Sequence, residues 1–368
     1  MAINPYALSS LKVALVHDPL TVPAGAEKVL YEFHKIFPHA PIYTPLYRPE
    51  KFPEYRDVRV VTSSLNRFRF ARNHHQLMIP LLPYFVEQLD LSEYDLILSD
   101  SSSVAKGVIT RPESIHICYC QTPMRWAWMP QLDPRASSSL IRRLAAHYLR
   151  LWDSATVDRV DVWLANAKTS AARVKKFYKR DAAVIYPPVD IENVAVSTEN
   201  DDYYLSVGRL VEQKRIDLIV EAAKKTGSKV KIVGGGPLLE KLKSQAKRHK
   251  NISFLGRVSD QERDELYAHC KAFIFASEED AGIVPIEAMA YGKPVIAFGR
   301  GGASETVLDK KTGLHFAEQT ADSLALAIEE FETLHFDAEY IGKHAQQFSS
   351  ARFRQEITAF IQKTVESR

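Results

Sequence analysis

The chain has 368 residues, 46% of them hydrophobic and 25% charged, with a net charge of +3 and three cysteines. At about 100–200 residues per domain this suggests two globular domains, and the average composition excludes a disordered chain or a disulfide-dense scaffold. With no run of about 18 apolar residues no membrane-spanning helix is expected, and without a basic run or motif set nucleic acid is not an expected partner.

Cys118 and Cys120 form C-x-C and Cys270 stands alone. Neither spacing makes a zinc framework or a redox pair, and a reducing compartment fits. Met1–Leu11 has no basic start and no apolar stretch of the kind a secretory leader carries. Residues 1–190 hold 24 Lys/Arg against 18 Asp/Glu, a balance of +6, whereas 191–368 hold 24 against 27, a balance of −3. A basic first half points to an anionic surface or ligand on that side.

In chain order, the apolar run Lys12–His17 reads as a buried strand. A loop with Gly25 and a helical pattern over Glu27–Ile36 follow it. Ile42–Thr44, Val58–Val61, Tyr94–Ser99, Ser114–Cys120, Val162–Ala165 and Ala183–Tyr186 read as further strands. Their unalternating apolar character suits a parallel sheet covered on both faces. Two segments mix basic and aromatic residues, Arg67–Phe85 and Leu140–Trp152. They read either as amphipathic elements packed on the sheet or as contacts to an anionic bilayer. The proline-led, polar stretch 187–203 is the linker candidate. The alternation then restarts. Strands at Tyr203–Val207, Lys229–Val233, Ile252–Leu255, Ala272–Ala276 and Pro294–Ala297 each lead into a loop and a helix, and Ser259 with Glu262 has the spacing of a capping box. Two successive βαβα blocks predict an α/β protein of two Rossmann-like domains with a cleft between them. The terminal segment 351–365 carries Phe353, Ile357 and Ile361 on one face and should dock as a helix.

Three loops of the second block carry chemistry. In 277–289, a helix is expected to begin with Pro285 and run to Tyr291, and the backbone amides of Ala281, Gly282, Ile283 and Val284 at its start suit a phosphate. Glu279 and Glu287 can accept hydrogen bonds from sugar hydroxyls; the plainer alternative leaves one as a solvated loop charge and the other as a helix cap. In 208–215, Gly208 allows a turn, Arg209 can fork two phosphate oxygens and Lys214 adds a point charge. The cluster Gly234–Pro237, centred on Gly235, allows close approach of a nucleoside, though alone it reads equally as a tight turn. No D-x-D occurs, so no metal ligands of that kind are expected.

Taken in order, Gly208-Arg209 with Lys214, Gly234-Gly-Gly-Pro237 and Glu279-x7-Glu287-Ala-Met-Ala290 resemble the GT4 family of retaining glycosyltransferases. Gly25-Ala-Glu27 and Cys118-Tyr-Cys-Gln121-Thr-Pro-Met-Arg125-Trp126-Ala-Trp128 are most similar to its WbaZ-like O-antigen mannosyltransferases. The resemblance implies a GT-B fold: an acceptor domain over 1–192, a nucleotide-sugar domain over 193–345, and a helix over 346–368 crossing back to the first. It implies that Arg209 and Lys214 hold the donor diphosphate, that Glu279 contacts the donor sugar, that Glu287 binds the ribose and that Val258 meets the base through its backbone. Gly25 and Gln121 would add to the donor site, and Arg125, Trp126 and Trp128 to acceptor binding. Gln121 stands where the group tends to have a histidine. It can hydrogen-bond but cannot titrate near neutral pH.

The resemblance further implies a metal-independent, retaining transfer of a hexose, mannose from GDP-mannose, to a saccharide or lipid-linked saccharide acceptor, without a resident cofactor. Asp18 is the only nucleophile suggested for a double displacement. The expected location is the cytoplasm, at the inner face of its membrane. UDP-sugars as donors, a sugar phosphorylase and a non-catalytic nucleotide-sugar-binding partner stay open.

Overall fold

A computed structural model describes residues 11–23, 25–129 and 139–367, apart from the side chain of Trp126. The chain divides into two units, Met1–Pro188 with Phe353–Arg368, and Val189–Arg352.

The first unit is built on a seven-stranded sheet. Its strands are β1 (Val13–His17), β2 (Ile42–Thr44), β3 (Val60–Thr62), β4 (Leu96–Ser101), β5 (Ile115–Cys120), β6 (Val162–Ala165) and β7 (Ala183–Val184). All pairings are parallel, in the order β3-β2-β1-β4-β5-β6-β7. β1, β4 and β5 are buried at every position, as the unalternating apolar runs predict for central parallel strands. One sheet face, with Leu15, Leu98 and Ile117, packs under the helix Ala26–Ile36 and under Phe353, Ile357 and Ile361. Those three belong to the helix Ser350–Glu366 and are fully buried. Each such side chain contributes about 1.5–3 kcal/mol when withdrawn from water. The other face, with Ala14, Val16 and Ile97, packs under residues from 65–91 and Leu149.

The second unit holds six parallel strands, β8 (Tyr204–Val207), β9 (Val230–Val233), β10 (Ile252–Gly256), β11 (Ala272–Phe275), β12 (Val295–Phe298) and β13 (Gly313–Phe316), in the order β10-β9-β8-β11-β12-β13. In both sheets the order reverses beside the first strand, between β1 and β4 and between β8 and β11. Such a switch point splays the loops on either side and opens a crevice at the carboxyl ends of the strands.

The division falls at the start of the expected linker. Past it, Val189 is buried and pairs with Ser349, and its amide bonds to the Phe348 carbonyl at 3.0 Å. The polar stretch beyond is tied down as well, Ser197 N to Tyr291 O at 3.0 Å and Asp201 N to His269 O at 2.9 Å. Local composition does not register these distant backbone partners. Among the described residues, no helix is long and apolar enough to cross a membrane.

Candidate functional site

In the second unit the switch point gathers the residues the sequence singled out. β8 ends at Val207, and the loop after it opens with Gly208 and carries exposed Arg209 and half-buried Lys214. β11 ends one residue before Ala276 and delivers Ser277–Gly282. The two loops meet in an ion pair between the Lys214 ammonium and the Glu279 carboxylate, whose Oε1 also accepts from Ser277 Oγ at 2.9 Å. Arg215, in the left-handed region at φ 49°, donates to Gln319 Oε1 at 3.0 Å, and the Gln319 amide donates to the Ala276 carbonyl at 2.9 Å. This second link between the β8 and β11 loops had no signal in the local sequence.

Glycine is required where backbones touch. A Cβ on Gly234 (φ 127°) would lie 1.9 Å from the Gly208 carbonyl oxygen, and one on Gly236 would lie 2.4 Å from that of Leu210. Gly235 itself has room, its nearest neighbour being Arg257 at 3.7 Å, so the steric demand falls on the two residues flanking the predicted one. Sequence reading also passed over Gly301 and Gly302, in the loop after β12. A Cβ on Gly302 would meet Ala281 at 2.5 Å, and the Gly302 amide holds the Glu279 carbonyl at 2.7 Å. The cluster Gly299-Arg-Gly-Gly302 directly after a strand was the available signal.

The helix following Glu279 spans Ile283–Ala290, so it starts two residues before Pro285, correcting the expected start. Gly282 sits at its N-cap in the left-handed region, φ 62°, a conformation glycine adopts without penalty. No side chain caps this end, and the first-turn amides of Ile283 and Val284 carry the partial positive charge of the helix. Glu287 lies one turn on and is half-buried. Its Oε2 accepts from the buried Tyr267 hydroxyl at 3.2 Å, and the Tyr267 ring stacks on Tyr291 at 5.6 Å. Burial and the adjacent Glu287 charge push the Tyr267 phenol well above its ordinary pKa, so it stays a donor and orients the carboxylate. Val258 lines a groove of about 470 Å³ with Tyr203, Lys231 and Glu262.

In the first unit, a row of polar side chains occupies the carboxyl edge of four adjacent strands. His17 Nδ1 donates to the Asp18 carbonyl at 2.8 Å, and Nε2 faces Asp100 Oδ2 at 3.3 Å. Burial alone disfavours the charge on His17, but the Asp100 carboxylate, with Glu27 and Asp18 behind it, raises its pKa to about 9. The same burial raises the Asp100 carboxyl above its ordinary value, while the His17 contact pulls it back down. Asp100 Oδ1 accepts from the Gln121 amide at 2.8 Å, and Gln121 Oε1 accepts from Asn166 at 2.9 Å. A carboxylate only accepts, so the Gln121 amide is held in one orientation.

Asp18 is not poised as a nucleophile. Its buried carboxylate accepts from Ser102 N (2.6 Å), Ser102 Oγ (2.9 Å), Val104 N (2.8 Å) and Ala105 N (2.9 Å), which fixes the turn after β4. That role corrects the expectation for it. Gly25 is exposed at the N-cap of the helix Ala26–Ile36. Arg125 opens the short helix Arg125–Trp128. The Trp128 indole donates to Asp153 at 2.6 Å and stacks on Phe177 at 5.0 Å, which makes it an anchor of that helix. The Trp126 side chain lies outside the described residues.

Two doubly wound parallel units, with basic, carboxylate and amide groups gathered at a switch point, define the GT-B class of architecture. The solved structure of Anabaena Alr3699/HepE in complex with UDP shares this fold. It is 20% identical, its TM-score is 0.72, and the match covers 96% of this chain and all of that one. Residues 190–348 match the family model of Glycosyl transferases group 1, so the second unit is a domain of that family, as the resemblance of 208–290 implies. The alpha-1,3/1,6-mannosyltransferase ALG2 of Kluyveromyces lactis is 27% identical over 60% of this chain and 53% of its own length. A GDP-mannose-dependent alpha-(1-6)-phosphatidylinositol monomannoside mannosyltransferase of Mycobacterium tuberculosis is 35% identical over 42% of this chain and 44% of its own. The chain spans about half the length of the first curated relatives it matches.

Proposed function

We propose that the protein is a retaining hexosyltransferase that moves mannose from GDP-mannose to a lipid-linked saccharide in bacterial surface polysaccharide synthesis. One observation carries the reading: a switch point that brings Arg209, Lys214, Glu279 and the uncapped start of the helix Ile283–Ala290 together. The leaving nucleoside diphosphate gains negative charge as the glycosidic bond breaks. Preorganised cations and amides aimed at that charge supply a large share of such a barrier. In this reading Arg209 and Lys214 take the diphosphate and the Ile283 and Val284 amides take oxygens released by bond cleavage. Glu287, oriented by Tyr267, holds the ribose hydroxyls, and Val258 and Gly235 flank the base. Glu279 accepts from a hydroxyl of the transferred sugar.

The reaction runs without a metal ion, because the two basic side chains supply the countercharge that a metal would. Mannose and a lipid-linked acceptor are supported by the printed activity of the mycobacterial relative and by the resemblance of residues 118–128.

A thermal-shift panel of GDP, UDP, ADP, their sugar conjugates and inorganic phosphate tests this. A ligand that binds only the folded state raises its midpoint by mass action. GDP and GDP-mannose are expected to raise it selectively, and Glu287→Ala to reduce that rise. Selective stabilisation by UDP keeps the class and overturns the sugar. A response to phosphate alone moves the assignment to a phosphorylase. EDTA is expected to leave turnover unchanged, and a strict requirement for Mn²⁺ would contradict the metal-free chemistry.

A further inference from the structure

We propose that Arg215 and Gln319 are positioning residues of the donor site, a strap that keeps Lys214 and Glu279 in place while the ion pair between those two opens to admit a diphosphate. The proposal deepens the function above and rests on that reading for the diphosphate. The strap itself is tested without it.

The residues form a closed circuit. Lys214 is followed by Arg215, whose Nη1 donates to Gln319 Oε1 at 3.0 Å, and Gln319 Nε2 donates to the Ala276 carbonyl at 2.9 Å. Ala276 is followed by Ser277, whose Oγ donates to Glu279 Oε1 at 2.9 Å, and Glu279 returns to Lys214 through the ion pair. The β8 and β11 loops are joined twice, once by that ion pair and once by the strap.

The two links differ in what a guest does to them. The Lys214 and Glu279 side chains are 23% and 26% exposed, and an arriving anion competes with the carboxylate for the ammonium. The strap stands outside that competition. The remaining donors of the Arg215 fork, Nε and Nη2, are turned to Asp217 Oδ1 and Oδ2, each at 3.3 Å. Its far end is the carbonyl of Ala276, a residue only 2% exposed. A buried carbonyl that loses its donor carries the full cost of desolvation, which keeps this link closed.

The backbone carries a second sign. Arg215 holds φ 49° and ψ 37°, a left-handed conformation at a residue with a full side chain. Such a conformation persists where the surroundings over-determine it, and it gathers at working sites. Both ends of the strap also stand on firm elements. Arg215 is the N-cap of the helix Ile216–Thr226, and Gln319 precedes Thr320, the N-cap of the helix Ala321–Phe331. The two helices share one core, with Ile219 and Leu324 fully buried in it.

Hydrogen exchange tests the strap directly. The reporters are the Lys214 and Arg215 amides, bonded to the Val211 and Glu212 carbonyls at 3.1 Å each, and the Gly302 amide, bonded to the Glu279 carbonyl at 2.7 Å. Lys214→Ala and Gln319→Ala each leave one link intact, so exchange should stay within about threefold of the parent, whereas the double variant should exchange at least about tenfold faster. A double variant no faster than the singles overturns the proposal.

Turnover gives the second reading. Gln319→Ala, and Arg215→Gly with a residue suited to the left-handed backbone, should each lower kcat about tenfold at a parental thermal midpoint. Combining them should cost no more than one alone, because both break the same strap. Gln319→Glu keeps the acceptor for Arg215 but loses the donor to Ala276, and it should match Gln319→Ala. A slow Arg215→Gly beside a normal Gln319→Ala would make Arg215 a direct ligand contact and overturn the strap. So would a lowered midpoint with kcat unchanged, the mark of structural support alone. Should the parent itself turn over no nucleotide sugar, the transferase reading fails and the exchange result decides the strap.

Discussion

Arg209→Ala and Lys214→Ala are each expected to lower kcat by about 10²–10³-fold, the usual loss when one preorganised donor to a developing anion is removed. Neither side chain is part of the core, so the thermal midpoint should hold. The two variants should differ in kind. Arg209 is exposed, and its removal takes away a fork for phosphate oxygens. Removing Lys214 also strips Glu279 of its cation and leaves a carboxylate beside the diphosphate, so donor binding should weaken more. Single-turnover rates and nucleotide affinities on both variants separate these effects. Wild-type turnover in either variant would remove that residue from the chemistry.

Asp153→Ala should destabilise the first unit by about 3–5 kcal/mol, the cost of leaving a buried charge without its partner. Lys106 is 2% exposed, and its ammonium reaches Asp153 Oδ1 at 3.1 Å, the Asp153 carbonyl at 2.9 Å and Thr156 Oγ1 at 2.7 Å. Asp153 Oδ2 accepts from the Trp128 indole at 2.6 Å and the Tyr178 hydroxyl at 2.8 Å. Truncation therefore strips a buried ammonium of its counter-charge and orphans an indole and a phenol at once. Lys106→Met with Asp153→Leu removes both charges and should recover part of the loss. Urea unfolding of the single and double variants measures this, and a cost under about 1 kcal/mol for Asp153→Ala would show the network to be incidental.

The architecture was legible because parallel strands buried on both faces carry their own signature. The runs at Lys12–His17 and Ala272–Ala276 need no context to be read as central strands, and strand–helix alternation does the rest. In the site, the residues that advertise themselves are those with unusual chemistry after a strand, Arg209, Lys214 and the loop from Glu279 to Glu287. What escaped depends on contacts across long sequence separations. Tyr267 supporting Glu287, Gln319 bridging two loops, and Gly302 admitting the Glu279–Ala281 backbone are invisible until the strands are ordered. Asp18 misled for the same reason, since its four donors lie more than eighty residues away. For the helix from Leu140, periodicity shows that a stripe exists but not which side of it meets the protein.

Under the proposed function the contact between Lys214 and Glu279 makes the site a valence filter. With its ammonium already compensated by a carboxylate of the same unit, the pocket exerts little net pull on chloride or monovalent phosphate. A guest must outbid Glu279 for the cation, which favours a diphosphate held by several groups at once. Under the proposed function that exchange would free the carboxylate as the guest's sugar arrives, so the bond broken to admit the anion would supply the acceptor for a hydroxyl.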